Sequence, residues 1–299
     1  MKAWRNMFTP DDNMDDLADN WPSFQNRVTV FLGAGASIGA LNQSGKSLPS
    51  AYQLRNDLWE KYKWRASDGI FDPASLRLMS LEHAAAIIEA KTGRTVLGEY
   101  LQEAFSCSKP LWQHLVLPYL NPASLFTTNY DQLIELGYSG CGKVLDVICS
   151  NRKPMAAQTA LFKPHGSLTH INQPVGQGGL VITQFDYLEM ISDYRKMLQN
   201  AMTGFSSTCV IIIGYSFGDM DIGSELYSLR KKSDGIPWYA VFPRADKEVR
   251  RMYSKRFGIE QINRTFEGFL ADLDDRIDFV PANFKHSNRD DLRDRGIIQ

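Results

Sequence analysis

A chain of 299 residues can form one large α/β domain or two ordinary ones, and either can bury a substantial core. With 43% hydrophobic and 22% charged residues it reads as globular and soluble, and a formal net charge of −1 leaves the chain as a whole without the footprint of a nucleic-acid or anionic-membrane binder. No apolar run reaches the ~18 residues needed to cross a bilayer, no secretory signal opens the chain, and Cys107, Cys141, Cys149 and Cys209 fall at irregular spacings without C-x-x-C, as expected of reduced thiols in a cytoplasmic protein.

In chain order, residues 1–27 form a polar arm anchored by Trp4, Phe8 and Trp21, with a helix expected near Asp12 to Asn20. Val28 to Leu32 is an uncharged, β-branched run that ends in Gly33-Ala34-Gly35-Ala36-Ser37. Such a pattern predicts a buried strand that turns at once into a helix, whose free N–H groups would meet a pyrophosphate, with Ser37 as an added donor. The third glycine of the dinucleotide fingerprint is absent, since position 38 is Ile and the next glycine is Gly39, so the glycines alone also fit an ordinary tight β–α turn. Leu41 to Ser50 reads as a loop able to lie over a ligand. Residues from about 50 to 117 carry helical periodicity, at Ala51, Leu54, Leu58 and Tyr62 and again at Leu78, Leu81, Ala85 and Ile88, and read as a helical insertion.

Short apolar runs then predict strands at Ser124–Thr127, Val144–Ile148, Leu161–Lys163, Leu180–Thr183, Cys209–Ile213, Trp238–Phe242 and Ile259–Ile262. Helical stretches separate several of them at Asp186–Thr203, Ile222–Lys232, Arg244–Phe257 and Phe266–Leu273. This alternation predicts an α/β fold with a mostly parallel sheet covered on both faces. The expected organisation is an arm over 1–27, a main domain over 28–275 and a polar C-terminal extension over 276–299.

Ligands of such sheets bind outside the carboxyl ends of the strands. Four runs end there in small or polar residues: Gly33 to Ser37, Thr127-Thr128-Asn129-Tyr130-Asp131, Lys163-Pro164-His165-Gly166-Ser167, and Gly214-Tyr215-Ser216-Phe217-Gly218-Asp219. This ordered set resembles the sirtuin-like NAD-binding domain, in particular the zinc-free branch of prokaryotic anti-phage defence whose members hydrolyse NAD. The resemblance implies a Rossmann-like core with an inserted helical small domain. It implies that Gly33, Ala34, Gly35 and Ser37 form the phosphate-binding turn, and that Asn129 and Asp131 contact the nicotinamide ribose and the nicotinamide. It further implies that His165 is the catalytic histidine and that Gly214, Tyr215 and Ser216 hold the adenosine half. Thr128, within the same motif, counts with the cofactor-binding residues. Deacetylating sirtuins carry Gln at the place of Thr128 and a four-cysteine zinc module after the histidine, whereas Ser167 to Thr208 holds no cysteine. NAD cleavage without a metal is therefore the expected activity, ahead of NAD-dependent protein deacylation and of a non-catalytic NAD or ADP-ribose sensor.

Bond cleavage at the nicotinamide ribose builds oxocarbenium character while the pyridinium leaves as a neutral base. Asn129 suits the positioning of ribose and water, His165 the uptake of a proton, and Asp131 a contact to the carboxamide or to developing positive charge. Asp131 equally suits the N-cap of a helix from Gln132, a His-Gly after a strand is often a satisfied turn, and Asp219 and Asp221 read as turn and capping residues. An NAD hydrolase needs restraint, so the resemblance also implies a homo-oligomer or a companion such as a HerA-type ATPase, a short Argonaute or another sensor, with no direct nucleic-acid or membrane contact.

Overall fold

The computed structural model describes residues 10–66, 79–155, 158–190, 209–217, 220–232, 235–243 and 247–299. Among them, seven four-residue strands form one sheet: β1 (Thr29–Leu32), β2 (Ser124–Thr127), β3 (Leu145–Ile148), β4 (Thr159–Phe162), β5 (Val210–Ile213), β6 (Trp238–Val241) and β7 (Ile259–Ile262). Their order is β3-β4-β2-β1-β5-β6-β7, and every pairing between them is parallel. β1 thus sits between β2 and β5, where the chain stops building the sheet on one side and starts on the other. In a Rossmann-like sheet that switch point opens a crevice at the carboxyl ends of the strands.

Strands buried on both faces should read as unbroken apolar runs, and Val210-Ile211-Ile212-Ile213 is buried at every position. Side chains alternate between two layers. Val30, Leu32, Leu125, Ile211 and Ile213 pack with the helices Pro10–Asp19, Trp112–Val116, Leu133–Gly140 and Phe266–Ile277. Phe31, Phe126, Ile212 and Trp238 face the other way, onto Ile222 and Leu226 of the helix Met220–Lys232. Both ends of the chain join the first layer: Met14 and Leu17 are fully buried there, together with Val280, Leu292 and Ile298. Asn13 Nδ2 also donates to Gln261 O on the edge strand β7 (2.7 Å), which occupies one of its unpaired backbone groups.

The predicted helical insertion is present as Ala51–Ala66, Leu81–Thr92 and Arg94–Phe105. Ser80 caps the second of these by accepting from His83 N, and Gly93, at φ 87°, breaks it from the third. Leu54, Leu58, Ala85, Ile88, Leu97 and Leu101 give the insertion its own core, which reaches Leu168, Leu180 and Ile182 of the main domain.

Two expectations are corrected. Leu180–Thr183 is buried but is not a strand. Its backbone is engaged elsewhere: Val181 N donates to His165 O (3.0 Å), Val181 O accepts from the Tyr130 hydroxyl (2.6 Å), Ile182 N and Thr183 N donate to Asp186 Oδ2 (2.9 and 2.8 Å), and Arg94 donates to Leu180 O. The segment is a strap across the strand ends. The glycine turn, for its part, opens only a 3₁₀ turn, Ala34–Ser37, and the following α-helix starts at Ala51. Ile38 leaves the turn with ψ 131°, and Gly39 at φ 92° swings the chain away towards an isolated bridge between Leu41 and Ser47. Residues 184–190 are helical, as expected from Asp186 on. Residues 191–203 of that helix, Leu78, Gly218 and Asp219 lie outside the described residues.

Candidate active site

The glycine turn is made by backbone packing against the end of β5. Gly33 N donates to Ile213 O (2.9 Å), Gly35 N to Gly214 O (2.8 Å) and Ala36 N to Gly33 O (2.9 Å). These three amides are therefore spent on the fold and are not the free donors expected at a helix N-terminus. A Cβ on Gly33 would lie 2.6 Å from Tyr215 Cα, and one on Gly35 would lie 2.7 Å from Gly214 Cα, so neither position admits a side chain without displacing backbone. Gly214 itself sits at φ 63°.

The next strand end supplies the polar set. Thr127 Oγ1 donates to Leu32 O (2.8 Å) and accepts from Asn129 N (3.1 Å), which ties the end of β2 to β1. From that bend Asn129 Nδ2 donates to Gly33 O and to Ser37 Oγ (both 3.0 Å), and Ser37 Oγ donates to Asp131 Oδ2 (2.7 Å). Asp131 is 5% exposed, and its Oδ1 accepts from Leu133 N (3.1 Å). One carboxylate therefore both accepts the first amide of the helix Leu133–Gly140, whose N-cap is Gln132, and anchors the Ser37–Asn129 cluster.

At the end of β4, Lys163 is fully buried, with Nζ donating to Asp131 O (2.6 Å) and to Glu135 Oε1 (2.9 Å). Sequence reasoning gave this lysine no role, although a cation placed directly after a buried strand must find partners. His165, 7% exposed, follows it, with its ring edge-on to Tyr187 (centroids 5.5 Å apart). Gly166 is at φ 81°, and a Cβ there would lie 2.3 Å from Gly179 O.

These elements enclose a cleft of about 430 Å³. Ala34, Gly35, Ser37, Thr128, Asn129, Asp131 and His165 line it, as do Tyr130 and Tyr187, which sequence reasoning did not single out. Leu48, Pro49, Leu54, Leu81 and Phe105 make the facing apolar wall. Gly33 lies just behind the lining. Gly214, Tyr215 and Ser216 are not part of it: Gly214 packs on the glycine turn, the Tyr215 ring lies tilted against Phe31 in the core (centroids 4.6 Å apart), and Ser216 is exposed. The thiols near the site are poor nucleophiles. Burial, with the charge of Asp131 second, pushes Cys107 up to about 12, and burial pushes Cys149 up to about 11. Among the described residues, no group of three or more His, Cys, Asp or Glu side chains could hold a metal ion, and no helix is long and apolar enough to cross a membrane.

A parallel sheet with its polar cluster at the switch point is a Rossmann-like α/β fold, and comparison with known proteins narrows the class. Residues 123–262 match the SIR2-like domain family. Over 252 residues, 79% of this chain and 45% of the relative, the sequence is 26% identical to the NAD(+) hydrolase ThsA of Cytobacillus dafuensis. It is 28% identical over 142 residues, 46% of this chain and 14% of the relative, to Defense-associated sirtuin 2 of Bacillus subtilis. It is 25% identical over 215 residues, 69% of this chain and 40% of the relative, to the NAD(+) hydrolase ThsA of Acinetobacter baumannii. The chain spans less than half the length of each of these relatives. Residues 123–262 are thus similar to a SIR2-like domain, and the chain resembles NAD(+) hydrolases.

Proposed function

We propose that this chain hydrolyses NAD⁺ to nicotinamide and ADP-ribose and so depletes NAD in anti-phage defence. The observation that carries the reading is the convergence of Ser37, Asn129 and Asp131, from two adjacent strand ends, with His165 from a third, on one cleft at the switch point of the sheet. The resemblance to NAD(+) hydrolases supports it. Loss of nicotinamide needs no general acid, because the pyridinium departs as a neutral base, and the demand falls on the cationic ribose and the incoming water. In this reading the Asn129 amide orients ribose and water, the Asp131 carboxylate favours the developing positive charge, and the His165 imidazole takes the proton. Ala34, Gly35, Ser37 and Thr128 face the phosphates, with Gly33 directly behind them, and the segment Gly214 to Ser216, beside the cleft rather than in its lining, is assigned the adenosine half. An assembly of identical chains, or a companion protein, keeps the activity in check.

Purified protein incubated with NAD⁺ should release nicotinamide with no acylated peptide present, and His165→Ala should lower the rate ~10²-fold or more. Release that depends on an acetylated peptide would make the protein a deacylase, and full activity in the variant would remove His165 from the chemistry. The side chain is largely buried against Tyr187 rather than open to solvent. The variant should therefore also lose about 1 kcal/mol of stability, and rates are compared well below its melting temperature.

A further inference from the structure

Tyr130 stands between the two polar residues of its motif and points away from both of their partners. Asn129 and Asp131 turn to Ser37 and the glycine turn, whereas the Tyr130 hydroxyl donates to Val181 O (2.6 Å) and its ring meets Phe105 of the helical insertion edge-on (5.6 Å). Val181 is fully buried, and its own N–H donates to His165 O (3.0 Å). A single residue of the strap thus joins the backbone of His165 to the side chain next to Asn129. The strap is held just as firmly from outside the cleft. Arg94, which does not line the cleft, donates to Leu180 O and pairs with Asp186 (2.9 Å), and Asp186 accepts the next two strap amides, Ile182 N and Thr183 N. Buried backbone groups must be paired, and here the carbonyls of Leu180 and Val181 are met by side chains of the insertion and of the β2 end, while the amides go to His165 O and to nearby Asp186.

We propose that the strap Leu180–Thr183 is a positioning tie, with Tyr130 and Arg94 as its two side-chain anchors, that fixes the separation of His165 from Asn129. The functional consequence rests on the roles given above to those two residues; the structural tie does not. Tyr130→Phe removes one hydroxyl and keeps the ring on Phe105, so a ligand would meet nearly the same surface while Val181 O loses its donor. Arg94→Gln tests the tie from outside the cleft.

Each variant should lower kcat for nicotinamide release about tenfold and leave KM for NAD⁺ within about twofold, because misplacement of reacting groups acts on the transition state more than on binding. Imidazole ¹H–¹³C correlation spectra of the protein, with the His165 signal identified by its loss in His165→Ala, should show that signal moved in both variants. Unchanged kcat with an unmoved His165 signal would overturn the proposal. So would a raised KM with unchanged kcat, which would make Tyr130 a ligand contact only. If the wild-type protein itself releases no nicotinamide, the proposed hydrolase activity fails, and the His165 signal alone decides the tie: moved upholds it, unmoved ends it. Should Tyr130→Phe not fold, the same readings on Arg94→Gln decide.

Discussion

On the floor of the cleft backbone meets backbone, and on the facing side long side chains reach across to a strap. Gly33 and Gly35 pack against Gly214 and Tyr215 so closely that a methyl group has no room, and beneath Asp131 a buried lysine is paired to Glu135. The strap is held instead by one tyrosine hydroxyl and one guanidinium from distant parts of the chain, and by the carboxylate of Asp186 just beyond it. The difference lies in how each side can fail. A floor whose glycines leave no room for a methyl group, and which rests on a buried lysine paired to Glu135, should break in large steps, whereas the strap should loosen one hydrogen bond at a time.

The largest break should come from Lys163→Met. Removing one partner of a buried pair strands the other, and with Glu135 about one-fifth exposed the loss should sit near the low end for such pairs, about 3 kcal/mol. Urea unfolding measures it, and the double variant with Glu135→Gln should recover part of the loss. A cost below about 1 kcal/mol would mean that the floor does not depend on the pair. Gly35→Ala comes next, with about 2 kcal/mol lost to the overlap with Gly214, read as a fall of ~5 °C in Tm. Tyr130→Phe on the strap should cost only about 1 kcal/mol while cutting turnover more than Gly35→Ala cuts it per unit of stability lost, which would invert the ranking of the two sides. A separate effect is graded by pH, and vanishes above pH 6.5. His114 lies under the floor, beside Gly137 and edge-on to Phe266, and complete burial lowers its pKa to about 3. Between that value and the ordinary 6.5 the unfolded chain binds a proton that the folded chain refuses. Stability should be unaffected above 6.5 and should fall by about 1.4 kcal/mol for each pH unit below it. Urea midpoints of wild type and His114→Leu at pH 7 and pH 5 would show it as a steeper loss in the wild type.

The sheet was legible because strands buried on both faces cannot alternate with polar residues, so Cys209–Ile213 and Trp238–Phe242 stand out in the sequence within a residue of where β5 and β6 lie. The polar cluster was legible because it sits directly after such strands. Leu180–Thr183 misled for the same reason that the strands did not: burial demands apolar residues whether the backbone is paired in a ladder or by Arg94, Tyr130 and Asp186, and those three lie far from one another in sequence. Tyr215 likewise reads as a strand-end residue of the site, and only its packing on Phe31 places its ring in the core. The pairing of Lys163 needed the helix at Glu135 to be set in space before the charge had a visible partner.

The place of β1 at the centre of the sheet has a consequence during synthesis. Thr29 meets its first lateral neighbour, Ser124, 95 residues later, and the other flank of β1 stays bare until β5 has been made. Until then the uncharged run Val28–Leu32 is an unpaired, β-prone segment, with Arg27 next to it to discourage self-association. Pairings so distant in sequence also make for slow folding. The glycine turn acquires its opposing wall only when Gly214 arrives, so the cleft cannot take its shape before β5 has been made and has paired with β1.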